Sequence, residues 1–551
     1  MSRKSGRSGV TAPEVCQIHH LFSIFIVMPD LQLCLQINAV RRSLETNVLP
    51  KIYSLESILQ PVNRLPKDIF VLIPCFFTSE QGWESDSHFP MNKPLITMTH
   101  VCQSWRNTLL STPSLWTRID FSMSTRSQQA QGFLRRSGNQ LLDVHQFLDK
   151  IDQVEPFLST TIENLYRIQG LSIVSFPPYL EPLLRNFSSS APELKNLEIT
   201  NGPGMTQTEI RFIRMFRGRM EKLTSLSLHY LCTNICDFNF PSLTRFSFSA
   251  GTHISVRDLT SFFERCPLLE FIQICLSYTP QSPTAPPHRR VCLAALRELR
   301  LDRTACTTGL LDHLILPKCT EMMLKGVFTG ETLGPGRRPA ARIHPSSIDY
   351  LPVMTGITKV VAMPDSCVFS GPNGNLGFWC FEGTRGNLDT DFFTSFPPIT
   401  VSQIKELLVG RGTPSYSTTT HGPWKQTITW ARGAFEVLTK VEDLTMVSCE
   451  TWPFFVALGA TMDGEILLPE LRNFTIYVGY EDLRLSALIQ CAKARKKHFR
   501  PLEKMTVVWG KDPSPDVMQE VESLREFMGE LIHGVGEAPK FWKEHKYRDR
   551  W

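Results

Sequence analysis

From about residue 140 onward, one spacing of apolar positions recurs: apolar-x-x-apolar-x-apolar. It occurs as Ile168/Leu171/Ile173, Leu194/Leu197/Ile199, Leu223/Leu226/Leu228, Leu243/Phe246/Phe248, Leu269/Ile272/Ile274 and Leu296/Leu299/Leu301. Cys319/Met322/Leu324 follows more weakly, and the spacing returns at Val441/Leu444/Met446, Leu471/Phe474/Ile476 and Leu502/Met505/Val507. The alternation that closes each phrase predicts a short strand with one buried face. From Leu171 to Met322 the central positions step by 26, 29, 20, 26, 27 and 23 residues. Helical spacing fills the gaps. Val256, Leu259, Phe262 and Phe263 predict a helix over Ser255–Arg265, ended at Cys266-Pro267; Ile210/Ile213/Phe216 and Leu485/Leu488/Ile489 predict others. Each unit is therefore strand, loop, helix, and such units bury their apolar faces only by stacking.

The chain before this array has a different pattern. Residues 1–53 give no clear elements beyond a short helix over Leu31–Val40, and no role is assigned to them. From Ser54, Leu55, Ile58 and Leu59 have helical spacing up to Pro61. Pro66 and Asp68 suit a helix N-terminus, but Pro74 predicts a break in the apolar run 69–77. A polar loop is expected over Thr78–Pro94. Val101, Trp105 and Leu109 then share one helical face, Pro113 ends that helix, and Leu115, Trp116 and Ile119 form a further apolar cluster.

Leu65-Pro66, Val101-Cys102-x-x-Trp105-Arg106 and Leu115-Trp116, three motifs in order, together resemble an F-box. The tail Ser111-Thr-Pro-Ser-Leu-Trp is similar to the variant of fungal F-box proteins with divergent leucine repeats. Lys67, where Pro or an acidic residue is usual, and Pro74 depart from the family pattern. The steps of the downstream array match the period of a leucine-rich repeat. The asparagine usual after each repeat strand is absent from most units, where Gly202, Leu231, Gly251 and Ser277 stand, so an irregular horseshoe is expected. The fold class that results is an α+β or α/β solenoid, a short N-terminal helical F-box followed by an irregular leucine-rich-repeat horseshoe. Its expected divisions are 54–121 for the F-box-like helices, 140–325 for repeats, 326–430 for a Gly/Pro-rich insertion or degenerate repeats with a weak trace at Ile357/Val360/Ala362, 431–510 for further repeats, and 511–551 for a helical tail.

The resemblance implies docking onto the Skp adaptor of a cullin-RING ubiquitin ligase through Leu65, Pro66, Ile69, Val101, Cys102, Trp105, Leu109, Leu115 and Trp116. The repeats would hold an unidentified protein substrate on the strand face opposite the core. Alternation places Glu198, Ser227, Ser247, Gln273, Arg300, Met323, Thr445, Thr475 and Thr506 there, with Arg245, Glu298, Asp302 and Lys325 as neighbours. Arg245, Gln273, Glu298, Arg300, Asp302 and Lys325 are the candidate substrate contacts. The alternative is a repeat scaffold whose F-box no longer recruits a ligase.

Composition and chemistry leave this picture in place. The chain has 551 residues, 42% apolar and 20% charged, with a net charge of +5 from 58 Lys plus Arg against 53 Asp plus Glu. So small a surplus does not point to nucleic acid or an anionic membrane as partner. The apolar run Leu21–Met28 is too short to span a bilayer, and no clean cleavage site follows it. The 15 cysteines are scattered; Cys232 and Cys236 lack a second pair at zinc spacing. A reducing compartment, cytoplasmic or nuclear, is expected. No P-loop, H-E-x-x-H, G-x-S-x-G or EF-hand spacing occurs, so no catalytic residue, metal ligand or cofactor is assigned and a non-enzyme is expected. Gly410-Arg-Gly412 and Gly371-Pro-Asn-Gly-Asn-Leu-Gly377 are expected to be flexible loops or turns. Lys493–Arg500 is basic and is expected to be the solvated face of a helix.

Overall fold

A computed structural model of the chain describes residues 65–79, 93–121, 127–202, 215–218, 220–231, 235, 239–250, 254–276, 290–302, 307–325, 351–363, 366–379, 402–410, 423–447, 452–459, 461–462, 465–478 and 485–536. The expected helices over Leu31–Val40 and Leu55–Leu59, the Cys232/Cys236 pair, Ile210/Ile213 and Arg411-Gly412 lie outside these residues. The chain forms two compact units, Met1–Trp116 and Thr117–Trp551.

In the first unit, α1 spans Lys67–Ser79, α2 Lys93–Met98 and α3 Gln103–Leu110, and a 3-10 turn covers Pro113–Trp116. The expected break at Pro74 does not occur: α1 runs through it. A proline there removes one ladder hydrogen bond and crowds the preceding turn, at a cost of about 3 kcal/mol. Packing offsets that loss. Pro74 is buried, and Phe70 on the same face meets Trp105 edge-on at 4.8 Å between ring centroids. Cys102 caps α3, its Sγ accepting from the Trp105 amide at 3.5 Å. Leu95, Leu109 and Trp116 fill the core, and the Trp116 indole Nε1 donates to the Leu109 carbonyl at 2.9 Å.

The second unit is mixed α/β, built on a 17-stranded, mostly parallel sheet. Its strands are β1 Arg118–Asp120, β2 Leu142–Leu148, β3 Ile168–Ser175, β4 Asn196–Asn201, β5 Ser225–His229, β6 Arg245–Ala250, β7 Phe271–Leu276, β8 Glu298–Asp302, β9 Glu321–Lys325, β10 Lys359–Met363, β11 Ser366–Gly371, β12 Gly374–Trp379, β13 Glu406–Gly410, β14 Asp443–Val447, β15 Asn473–Val478, β16 Lys504–Trp509 and β17 Glu530–Val535. β1 to β9 pair in chain order, each parallel to the last, and β13 to β17 do the same. Between them β10, β11 and β12 form an antiparallel meander inserted in reverse, so that β9 pairs with β12 and β10 with β13.

The register explains the periodic apolar phrase. Val144, Leu171, Leu197, Leu226, Phe246, Ile272, Leu299 and Met322 stand in one row across neighbouring strands, and all are buried. Leu444, Phe474, Met505 and Leu531 continue the arrangement in the second half. Each such side chain contributes about 1.5–3 kcal/mol through burial. The expected helix appears as α7, Val256–Glu264, with Val256, Leu259, Phe262 and Phe263 buried. Ser255 and Asp258 close its N-terminus with a reciprocal capping box. The helices α4 Ser127–Arg136, α5 Val154–Asn164, α6 Pro177–Asn186, α8 Thr307–Asp312, α9 Pro423–Val437, α10 Trp452–Gly459, α11 Leu485–Lys497 and α12 Pro515–Glu522 complete the unit.

Three boundaries differ from expectation. The sheet begins at β1, so Ile119 belongs to it, and Phe121 follows it in the second unit and not in the helical segment. The 326–430 stretch carries four sheet strands, including the weak trace in β10 and the unforeseen β13. The 511–551 tail adds β17 to the expected helix, and residues 537–551 lie outside the described set. Gly371-Pro-Asn-Gly374 is a defined hairpin turn that pairs Gly371 with Gly374. Gly374 has φ of 127°, and a Cβ there would stand 2.0 Å from the Thr320 carbonyl oxygen. Gly374→Ala is therefore expected to cost on the order of 3 kcal/mol, combining backbone strain with a clash against fixed main chain. A lowered midpoint in urea would show it; an unchanged midpoint would mean that the turn can relax.

The connections are held by buried polar groups. Arg167 donates to the Ser137 hydroxyl at 3.0 Å and to Asn164 Oδ1. Arg495 on α11 is fully buried and donates to the carbonyls of Leu467, Leu468 and Leu471 at 3.0, 2.9 and 3.3 Å. Burial pulls its guanidinium below the usual arginine range. Where the repeat asparagine is missing, Gly202 donates its amide to the Ser175 carbonyl at 2.8 Å, and Asn201 reaches the Tyr230 carbonyl at 3.2 Å.

Candidate functional site

Two surfaces collect the residues singled out by sequence. On the helical unit, Ile69 and Leu72 stand three residues apart on one side of α1, and Leu65 lies two residues before that helix begins. They are 38%, 45% and 60% exposed, and Val101, just before α3, is 51% exposed. Pro66 is exposed, and Cys102 and Trp105 are half-buried. Leu109, Leu115 and Trp116 sit in the core instead. They pack between the helices and do not reach the surface. Leu72 is not among the residues that the sequence singles out; its helical spacing from Ile69 is the signal for it.

The second surface is the face of the sheet opposite the apolar rows. Strand register brings five of the six candidate contacts together on β6, β7 and β8, with Lys325 next to Asp302 on β9. Arg245, Phe271 and Glu298 form one row, Gln273 and Arg300 a second, Cys275 and Asp302 a third. The ring of Phe271 stands between two guanidiniums, Arg245 at 4.4 Å and Arg300 at 5.2 Å from its centroid. Arg300 also pairs with Glu298, its Nε donating to Oε1 at 2.6 Å. This corrects the expectation of solvent exposure for Arg300 and Asp302. Arg300 is only 5% exposed because its guanidinium is folded onto Phe271 and Glu298, and Asp302, 7% exposed, accepts from Cys275 Sγ at 3.3 Å. Met323, also expected outward, is buried. Arg245 is exposed, and among the described residues it has the Phe271 ring but no ion pair.

Toward the N-terminal side the same face becomes small and polar. Ser225 and Ser227 of β5 lie beside Arg245 and Ser247 of β6, and all three serines are half-buried. Beyond them Glu198 on β4 accepts from the Ser172 hydroxyl at 2.9 Å. Burial pushes the His229 imidazole below its ordinary range, with Glu198 pulling it back up. The second half of the face is different. Thr445, Thr475 and Thr506 form its central row, bounded by ion pairs between adjacent strands, Lys359–Glu406 at 3.0 Å and Lys504–Glu530 at 3.7 Å. Exposed pairs of this kind contribute about 0–1 kcal/mol each and cancel one another's charge.

Burial pushes the thiols of Cys266 and Cys319 up to about 11 and about 12, which keeps them in the protonated, unreactive form. Among the described residues, no helix is long and apolar enough to cross a membrane, and no group of three or more His, Cys, Asp or Glu is placed to hold a metal. The basic segment Lys493–Arg500 is a solvated helix end as expected, with one exception, the buried Arg495. No protein-family model and no curated protein matches this chain.

Proposed function

We propose that the chain is the substrate-recruiting subunit of a Skp-cullin-F-box ubiquitin ligase. In this function the helical unit docks on the Skp adaptor, and through it on the cullin. The stacked strand–loop–helix units make an irregular leucine-rich-repeat horseshoe that holds a protein substrate against the open sheet face. The transfer chemistry belongs to other subunits, and no cofactor is required of this chain. The observation that carries the proposal is the exposed apolar pair Ile69 and Leu72 on α1, with exposed Leu65 just ahead of it, on a helix whose other side is well packed. Exposed apolar side chains in contiguous array are a mark of a protein partner.

Co-purification tests it. Wild type is expected to bring down the Skp adaptor, and Ile69→Asp/Leu72→Asp to lose it by at least about tenfold, since each buried apolar anchor is worth 1 kcal/mol or more at an interface. Both positions are exposed, so the variant keeps its fold. Lys67, which opens α1 where the family pattern has Pro or an acidic side chain, favours the second reading, a repeat scaffold with a degenerate F-box. Absence of adaptor from the wild-type preparation would leave that one standing.

A further inference from the structure

We infer that the open face of β4 to β7 holds an extended peptide bearing an acidic and a basic residue four positions apart, the carboxylate on Arg245 and the cation on Glu198. This rests on the proposed substrate-holding role of the same face and names the chemistry of what it holds.

The charges decide the occupant. Arg300 and Glu298 neutralise each other, and the second half of the face pairs its charges strand by strand. Arg245 is the contrast: exposed, with no ion pair among the described residues, and braced by the Phe271 ring at 4.4 Å. A guanidinium fixed by stacking loses little freedom when it binds, and its planar fork matches a carboxylate bidentately. The hydroxyls of Ser225, Ser227 and Ser247 adjoin it and have no hydrogen-bond partner among the described residues. A single compensating negative charge suits this site. A dianion would leave excess charge facing Glu198 on one side and Glu298 on the other.

Geometry sets the spacing. Glu198 stands two strands from Arg245 and one outward-facing position along, through the registered pairs Glu198–Ser227 and Ser225–Arg245. With strands about 4.8 Å apart and a rise of about 3.3 Å per residue, the diagonal is about 12 Å. Four residues of extended peptide span about 13 Å and put both end side chains on the same side. The intervening side chain on that side then lies over Ser225 and Ser227 of β5, where only small groups stand in its way.

The test uses the full-length protein to select from an immobilised library of random dodecapeptides, with a synthetic copy of the enriched sequence as the binding probe. Wild type is expected to enrich Asp or Glu followed or preceded by Lys or Arg four positions away. Arg245→Glu should weaken the synthetic probe about tenfold, and a probe with its acid changed to Lys should recover that loss. Glu198→Lys should act in the same way on the basic position. Selection of peptides without the acid, or equal binding by wild type and Arg245→Glu at matched circular dichroism, would overturn the inference. Adaptor co-purification from the same preparations separates the two claims: peptide binding without adaptor defeats only the ligase proposal, and adaptor without peptide selectivity defeats only this one.

Discussion

Trp116→Ala is expected to unfold the helical unit and to abolish the proposed adaptor binding with it. The indole is 2% exposed and anchors the turn at 113–116 to α3 through the Leu109 carbonyl. Emptying such a site costs about 3–5 kcal/mol. That is a large fraction of the about 5–15 kcal/mol by which a domain is ordinarily stable. Limited proteolysis would show cleavage confined to residues before Thr117, while the second unit stays resistant. Ile69→Asp is the control, since it removes the proposed contact and spares the core. Survival of the helical unit in Trp116→Ala would mean that its stability resides elsewhere than in this tryptophan. The same burial explains why Leu109, Leu115 and Trp116 are unsuited to testing docking directly.

Arg495→Ala is expected to lower the stability of the second unit by about 3–5 kcal/mol, because three carbonyls lose their donors in a place water cannot replace. Arg495→Lys should recover little, since a compact ammonium cannot reach three carbonyls with a planar fork. Arg500→Ala, exposed at the end of the same segment, should change stability by less than about 0.5 kcal/mol. Thermal unfolding of the three variants gives the comparison. A drop for Arg500→Ala as large as that for Arg495→Ala would locate the effect in net charge and not in the buried bonds.

The sheet was largely legible because a half-buried strand writes its period into the sequence. Leu171 through Met322 fall in one register row just as their spacing predicts. The same grammar is present at Trp116/Ile119/Phe121 and Ile404/Leu407/Val409, where the neighbouring helical motifs and the Gly/Pro-rich surroundings mask it. The reversed meander was not legible, since spacing says which residues face inward but not which strand lies next to which. Continuity of α1 through Pro74 was hidden for a related reason: local propensity opposes it, and packing around Phe70 outweighs that preference.

The site was legible in position and not in state. Alternation placed Arg245, Gln273, Glu298, Arg300 and Asp302 on one face correctly. It could not show that Arg300 and Asp302 are sequestered, because that depends on cross-strand partners. Phe271 was the missed residue. Its signal was a large aromatic in the polar phase of the alternation, with an arginine at the corresponding position one strand earlier.

The reversed meander also governs how the second unit assembles. A sheet whose strands pair in chain order grows by local steps, each adding the next short segment. At Lys325 that growth halts, because the next partner is not β10 but β12, reached only after the chain has passed through β11 and turned at Gly374. Strands β13 to β17 need no contact from β1 to β9 to pair among themselves. The two runs of chain-ordered pairing are thus joined only through the meander, by β12 on β9 and β10 on β13, and the turn at 371–374 is what brings those two edges into one sheet.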